Sequence, residues 1–317
     1  MHLEKSMTGS VVLVLGALLS AAAALAAQGP LIVAYMESNG ELVPVARYDG
    51  ARWRNTWPEP IDRDAPLPVR SVAQIPRTWL GQPVPLTWTT WSEATGKPHR
   101  VRVTGVDREG ACVESITLTT TPKPDPRSDG LAFDRPTTVS AIITLEKGSR
   151  EWETLRGEIA PRLNAAIAST ARSQPAGEQD ERGARVLALA RAEGATAETV
   201  ILESVFRDPR LPMYFIEAHR EFRGKGIPAD TDYDALSYGG WFGRDRAGAL
   251  IPISASLVPS STAADGEHRY TPIGILRLGV GSIWAMAEWG KESKTIVLFD
   301  VSTKRVRKLT SADVSGC

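Results

Sequence analysis

Apolar and polar positions along this chain repeat with two different periods, and the changes between them mark three stretches. Up to residue 147 the period is two. Residues 31–36 are an apolar run followed by Ser38-Asn39-Gly40, a hairpin signal. Residues 42–48 return, and Asp49-Gly50 makes a second tight turn before Trp53, so an antiparallel meander is expected. Residues 100–106 and 111–120 alternate about Asp107-Arg108-Glu109-Gly110 and predict another hairpin. Val101 and Val103 share one face there, with Arg100, Arg102 and Thr104 on the other. Prolines crowd residues 58–85, and a proline lacks the N–H that a central strand needs, which predicts an irregular wrap or an edge. Pro122, Pro124 and Pro126 predict a stiff extended linker, and residues 137–145 read as one more strand.

The period then lengthens. Trp152, Leu155, Ile159, Leu163 and Ile167 form the apolar stripe of an amphipathic helix, which Pro161 is expected to kink or split by clashing with the carbonyl of Gly157. Residues 173–183 read as a mobile polar loop, and residues 185–191 as a second helix with Gly194 where a helix end wants it. Residues 199–206 are too short for periodicity to choose between helix and strand. Strand signals resume at 213–222, 236–242, 250–258, 273–278, 282–288 and 295–301. The segment 294–311 resembles the outer hairpin of a β-propeller blade, but no internal repeat of about 40–50 residues accompanies it. The expected fold is a β-dominated α+β protein. Antiparallel strand blocks at 27–147 and 208–317 flank a helical section at 148–207; an irregular propeller-like fold with a helical insertion is the alternative.

The N-terminus predicts export. Lys5 precedes an uncharged run at 11–27, and Ala24-Leu25-Ala26 fits the small-x-small rule, so residues 1–26 read as a secretory signal peptide. As a membrane anchor the run of 17 residues would sit at the short end of the spanning range. No other stretch is comparably apolar, so no membrane span is expected after cleavage, and the mature protein is expected to be secreted or periplasmic. Cys112 and Cys317 are an even pair in an exported chain and permit one disulfide; two separate thiols are the alternative. The 28 Arg against 9 Lys, with much Ala and Gly, suggest a bacterial genome rich in G and C.

Charge removes some function classes. Lys+Arg 37 equals Asp+Glu 37, so nothing draws the chain to nucleic acid or to an anionic membrane. There is no G-x-S-x-G, no H-E-x-x-H and no G-x-x-x-x-G-K. Gly279-Val280-Gly281 lacks a third glycine and reads as a bulge at a strand end.

Three groups of residues could carry chemistry. If 213–222 is a strand, Glu217, His219 and Glu221 share one face, and Tyr214, Ile216, Ala218 and Phe222 the other. Two carboxylates flanking an imidazole suit a divalent metal or acid–base work, whereas the same alternation also describes a solvated strand face paired to its neighbour. Asp230, Asp232 and Asp234 have the D-x-D-x-D spacing of a calcium loop, but Ala235 and Trp241 stand where the helix-loop-helix version needs Gly and Glu. Of nine tryptophans, most are expected in the core; Trp88 and Trp91 fall on opposite faces of one strand, so one of them could be exposed for stacking on a sugar. The absence of a nucleophile, metal or cofactor motif, calcium apart, favours a non-catalytic exported protein that binds a protein or carbohydrate ligand. The alternative is a metal-assisted hydrolase or carbohydrate-active protein that uses Glu217, His219 and Glu221.

Overall fold

The computed structural model describes residues 30–56, 69–108, 116–122, 128–173, 181–222, 225, 234–260, 269–278, 281–290 and 293–316. Residues 1–26, Cys112, Pro124, Pro126, Asp230, Asp232 and Cys317 lie outside the described residues, and with them the expected signal peptide, the permitted disulfide, most of the expected linker and most of the candidate calcium motif.

The first stretch closes into a six-stranded antiparallel barrel. Its strands are β1 (Leu31–Met36), β2 (Leu42–Tyr48), β4 (Thr87–Ser92), β5 (His99–Arg108), β6 (Ile116–Thr121) and β7 (Gly130–Phe133). They run in the order β1-β7-β4-β5-β6-β2, β2 pairs back onto β1, and the short β3 (Trp53–Arg54) extends from β2. The uniformly apolar β1 is explained by burial on both sides: Ile32, Ala34 and Met36 fill the barrel, while Leu31, Val33 and Tyr35 point outward into a second core. The proline-dense stretch contributes a short helical turn, Arg77–Leu80, whose Leu80 packs into the barrel core.

That second core is covered by a five-stranded sheet in the order β17-β16-β15-β14-β8. Its strands are β8 (Thr138–Ser140), β14 (Arg269–Leu278), β15 (Gly281–Trp289), β16 (Ser293–Ser302) and β17 (Arg305–Gly316). On this barrel-side sheet Ile283, Ala285 and Ala287 face the barrel, while Trp284 and Met286 face away. The away face packs on a helix-side sheet in the order β13-β12-β11-β10-β9. It comprises β9 (Ile143–Thr144), β10 (Ile201–Arg207), β11 (Met213–Glu221), β12 (Ala235–Arg244) and β13 (Leu250–Ser260). Helices α1 (Arg150–Ser173) and α2 (Glu181–Glu193) cover its outer face, burying Leu155, Ile159, Leu163 and Ile167 against Ile216, Ala218 and Leu236. The layers therefore run helices, sheet, sheet, barrel. The β-dominated α+β class is the observed one, with 53% strand and 17% helix, and the sheets form a barrel and a sandwich rather than propeller blades.

Four local expectations are corrected. The run 137–145 is two strands, not one: β8 joins the barrel-side sheet and β9 the helix-side sheet, with Ile142 buried between them as the chain steps across. Pro161 does not split α1, because Pro161 and Gly157 lie on its exposed face, where water can satisfy the carbonyl that loses its partner, while the buried stripe stays continuous. The presumed loop 173–183 is helical at both ends, through Ser173 and from Glu181. Trp88 and Trp91 do point to opposite faces, but both are buried: Trp88 fills the barrel, and the ring of Trp91 lies against Gly274 of the barrel-side sheet. The ambiguous 199–206 is strand β10.

Candidate functional site

The two stacked sheets are sealed by large side chains at one end and held apart by small ones at the other. Inward from β10, β11, β12, β15 and β16 come Phe206, Met213, Phe215, Trp241, Trp284 and Phe299, which form one apolar cluster. The rings of Phe215, Tyr270 and Phe299 meet Trp241 or one another edge to face at 5.0–6.2 Å. Further along the same strands the lining changes to Gly239, Ser237 and Ala235 on β12 and to Ser254, Ser256 and Ser260 on β13. Bulk is lost there, and a cleft of about 900 Å³ opens.

Strand β11 carries the change of character. Its inward positions read Met213, Phe215, Glu217, His219, Glu221, apolar in the core and ionisable in the cleft. The predicted shared face is the observed one. Its inner half is covered, with Glu217 meeting the barrel-side sheet at the Tyr270 amide, while Glu221 at its outer end is exposed. On the outer face Ile216 and Ala218 pack under the helices, and Arg220 is buried in an ion pair with Glu193 of α2 at 2.7 Å.

The three predicted residues divide between two centres. Near the aromatic floor, Glu217 accepts a hydrogen bond from the Ser204 hydroxyl and one from the Tyr270 amide at 3.4 Å. Tyr270 lies on the opposite sheet beside its cross-strand partner Glu288, and its hydroxyl is hydrogen-bonded to the Glu288 side chain. Burial, then the charge and hydrogen bond of Glu288, then the charge of Glu217 push the Tyr270 phenol well above its ordinary range, so it is a neutral donor at any physiological pH. Toward the mouth, His219 Nδ1 lies 3.1 Å from Glu203 and its Nε2 lies 3.4 Å from Glu221. Glu203 reaches the cleft because β10 bulges between Leu202 and Ser204, which turns two adjacent residues toward the opening.

Asp234 sits at the start of β12, buried, with its amide donating to the Ser260 carbonyl at 3.0 Å and its carbonyl accepting from the Phe222 amide at 2.8 Å. Its backbone thus extends the sheet. Among the described residues no group of three or more His, Cys, Asp or Glu is arranged to hold a metal ion, and no helix is long and apolar enough to cross a membrane.

Sequence reasoning missed Glu203, Ser204, Tyr270 and Glu288. For Glu288 a signal existed: Trp284, Met286 and Glu288 alternate on one face of β15, the same apolar-to-acidic change that marks β11. For Glu203 none existed, since a bulge leaves no trace in a two-residue period. The lining as a whole holds Glu203, Glu217, Glu221, Glu288 and His219, and no lysine or arginine among its described residues. Comparison with known protein families, with characterised proteins and with solved structures returns no match to this chain, so the cleft is read from its own chemistry.

Proposed function

We propose that this chain is an exported binding protein whose ligand enters the cleft between the two sheets. The observation that carries the reading is the change, along one stacked interface, from a sealed aromatic core to a concave acidic opening of about 900 Å³. A cavity of this size matches the range that holds a small organic ligand, about 300–1,000 Å³, with an apolar floor and a few placed polar groups. Export is supported by the apolar run at 11–27 and by Ala24-Leu25-Ala26. Native mass spectrometry of the protein from its source tests the binding reading. A non-covalent adduct is expected on the wild type and not on Ser237→Trp, whose indole would fill the cleft. An adduct retained by Ser237→Trp places the site elsewhere. The intact mass of the same material reads processing: loss of about 26 residues supports export, and the full-length mass defeats it.

One observation favours a second reading, a carbohydrate-active enzyme. Glu217 and Glu288 come from facing sheets and meet at Tyr270, as two carboxylates dividing acid and base roles across a bond would. Release of reducing sugar from a polysaccharide panel, lost in both Glu217→Gln and Glu288→Gln, would establish it. Binding without turnover leaves the non-catalytic reading in place.

A further inference from the structure

Within that reading of the cleft, on which this inference rests, we infer that the ligand is an aliphatic oligoamine, a flexible chain of protonated nitrogens separated by methylene segments. Two independent features point to it. The first is the sign and spacing of the charge. The lining's four glutamates fall into two centres, Glu217 with Glu288 at the aromatic floor and Glu203 with Glu221 about His219 near the mouth. Glu217 and Glu221 are four residues apart on β11, and at about 3.3 Å of rise per residue their Cα atoms are separated by about 13 Å. A single ammonium ion or a compact divalent cation can serve one centre. A chain with nitrogens at both ends serves both.

The second feature is where the exposed apolar side chains lie. Among the described residues four large hydrophobic side chains are markedly exposed; one of them lines this opening and a second lies beside it on the same sheet face. Val258 of β13 lines the cleft and is 49% exposed. Ile201 of β10 is 41% exposed and is the cross-strand partner of His219, so it shares the inward face. They flank the acidic strand from the two sides of the sheet. Exposed aliphatic groups beside carboxylates offer the methylene segments of an oligoamine a surface to cover while its nitrogens are held. A neutral sugar would have no use for the excess of carboxylates, and an anion would be repelled by them. The apolar floor strengthens the attraction by lowering the local dielectric around Glu217 and Glu288.

Calorimetric titration of the mature protein with spermidine, with cellotetraose and with calcium chloride tests this. Spermidine is expected to bind one to one, with an affinity that falls as salt rises. The double variant Glu217→Gln/Glu288→Gln is expected to bind it at least about tenfold more weakly. Circular dichroism spectra that match the wild type keep any loss from being a folding defect, and Val258→Ser, which touches no charge, should weaken spermidine by a smaller factor. Binding of cellotetraose in place of spermidine would overturn the oligoamine assignment and leave the cleft as a binding site. Binding of calcium in place of spermidine would also overturn it. Spermidine binding unchanged in both the glutamine double variant and Ser237→Trp would show that the amine sits elsewhere, which also defeats it. If no probe binds and the mass-spectrometric adduct is also missing, the binding reading falls with it.

Discussion

Arg277 and Asp208 form a buried two-pronged ion pair that ties the sandwich together at the end opposite the cleft. Asp208 follows β10 on the helix-side sheet, and Arg277 lies near the end of β14 on the other. The guanidinium donates to Asp208 Oδ1 at 3.0 Å and to Oδ2 at 3.3 Å, with side-chain exposures of 9% and 0%. The amides of Arg210 and Leu211 and the indole N–H of Trp284 complete the donor set around the carboxylate. Such a pair is favourable only when the carboxylate lone pairs are used this fully, and it holds one edge of the cavity-bearing interface shut while the other stays open.

Removing one partner should therefore cost far more than a surface ion pair. Asp208→Ala strands the Arg277 charge in the interior, and a loss of about 3–5 kcal/mol is expected in urea unfolding. A loss under about 1 kcal/mol would show that water replaces the carboxylate.

The same pair sets a pH dependence. Burial raises the Asp208 pKa, but the hydrogen bonds and charge of Arg277 and the two amides outweigh it and hold the carboxyl below its ordinary value. With the folded pKa below the unfolded one, about 3.9, the unfolded state binds more protons in that window. The contribution is therefore complete above the unfolded pKa and is lost as pH falls through the folded one. Unfolding free energy measured from pH 6 downward should fall more steeply below about pH 4 in the wild type than in Asp208→Asn.

Gly240 lies beside the bulge between β12 and β13, under the serine wall of the cleft. Its φ is +133°, a region that residues with a Cβ rarely adopt, and a methyl group there would run into the Ser254 carbonyl and the Ala255 backbone. Gly240→Ala should cost at least about 1–3 kcal/mol and shift the cleft wall, read as a lower urea midpoint together with weaker ligand binding.

Lys294 holds the barrel to the sandwich. This nearly buried side chain of β16 donates to the Tyr35 hydroxyl on β1 and to Asp129 at 2.7 Å, and its ammonium lies 4.4 Å from the ring centres of Tyr35 and Trp289. Lys294→Ala should lower stability by about 1–3 kcal/mol, the cost of leaving buried polar groups without this donor. Lys294→Met, which keeps the packed stem, should recover part of that loss. Equal losses in the two variants would show that the charge, not the stem, makes the contact.

What the sequence determined by itself was local. The two-residue period places Glu217, His219 and Glu221 on one face of a strand and Ile216 and Ala218 on the other, because the pleat alone dictates that alternation. The spacing of Trp152, Leu155, Ile159, Leu163 and Ile167 likewise dictates a helical stripe, and Gly194, at φ +64°, ends the helical section as its position implies. What only the tertiary structure decided is which surface each face meets. Nothing in residues 31–36 tells that their even members fill a barrel while their odd members pack on β14–β17, since both burials demand the same apolar residues. The alternation in 137–145 could not reveal that its two halves belong to opposing sheets. The pleat says that Glu217 and His219 look the same way, but Tyr270 and Glu288 come to stand before them through packing between sheets more than fifty residues apart in the chain, which no local period records.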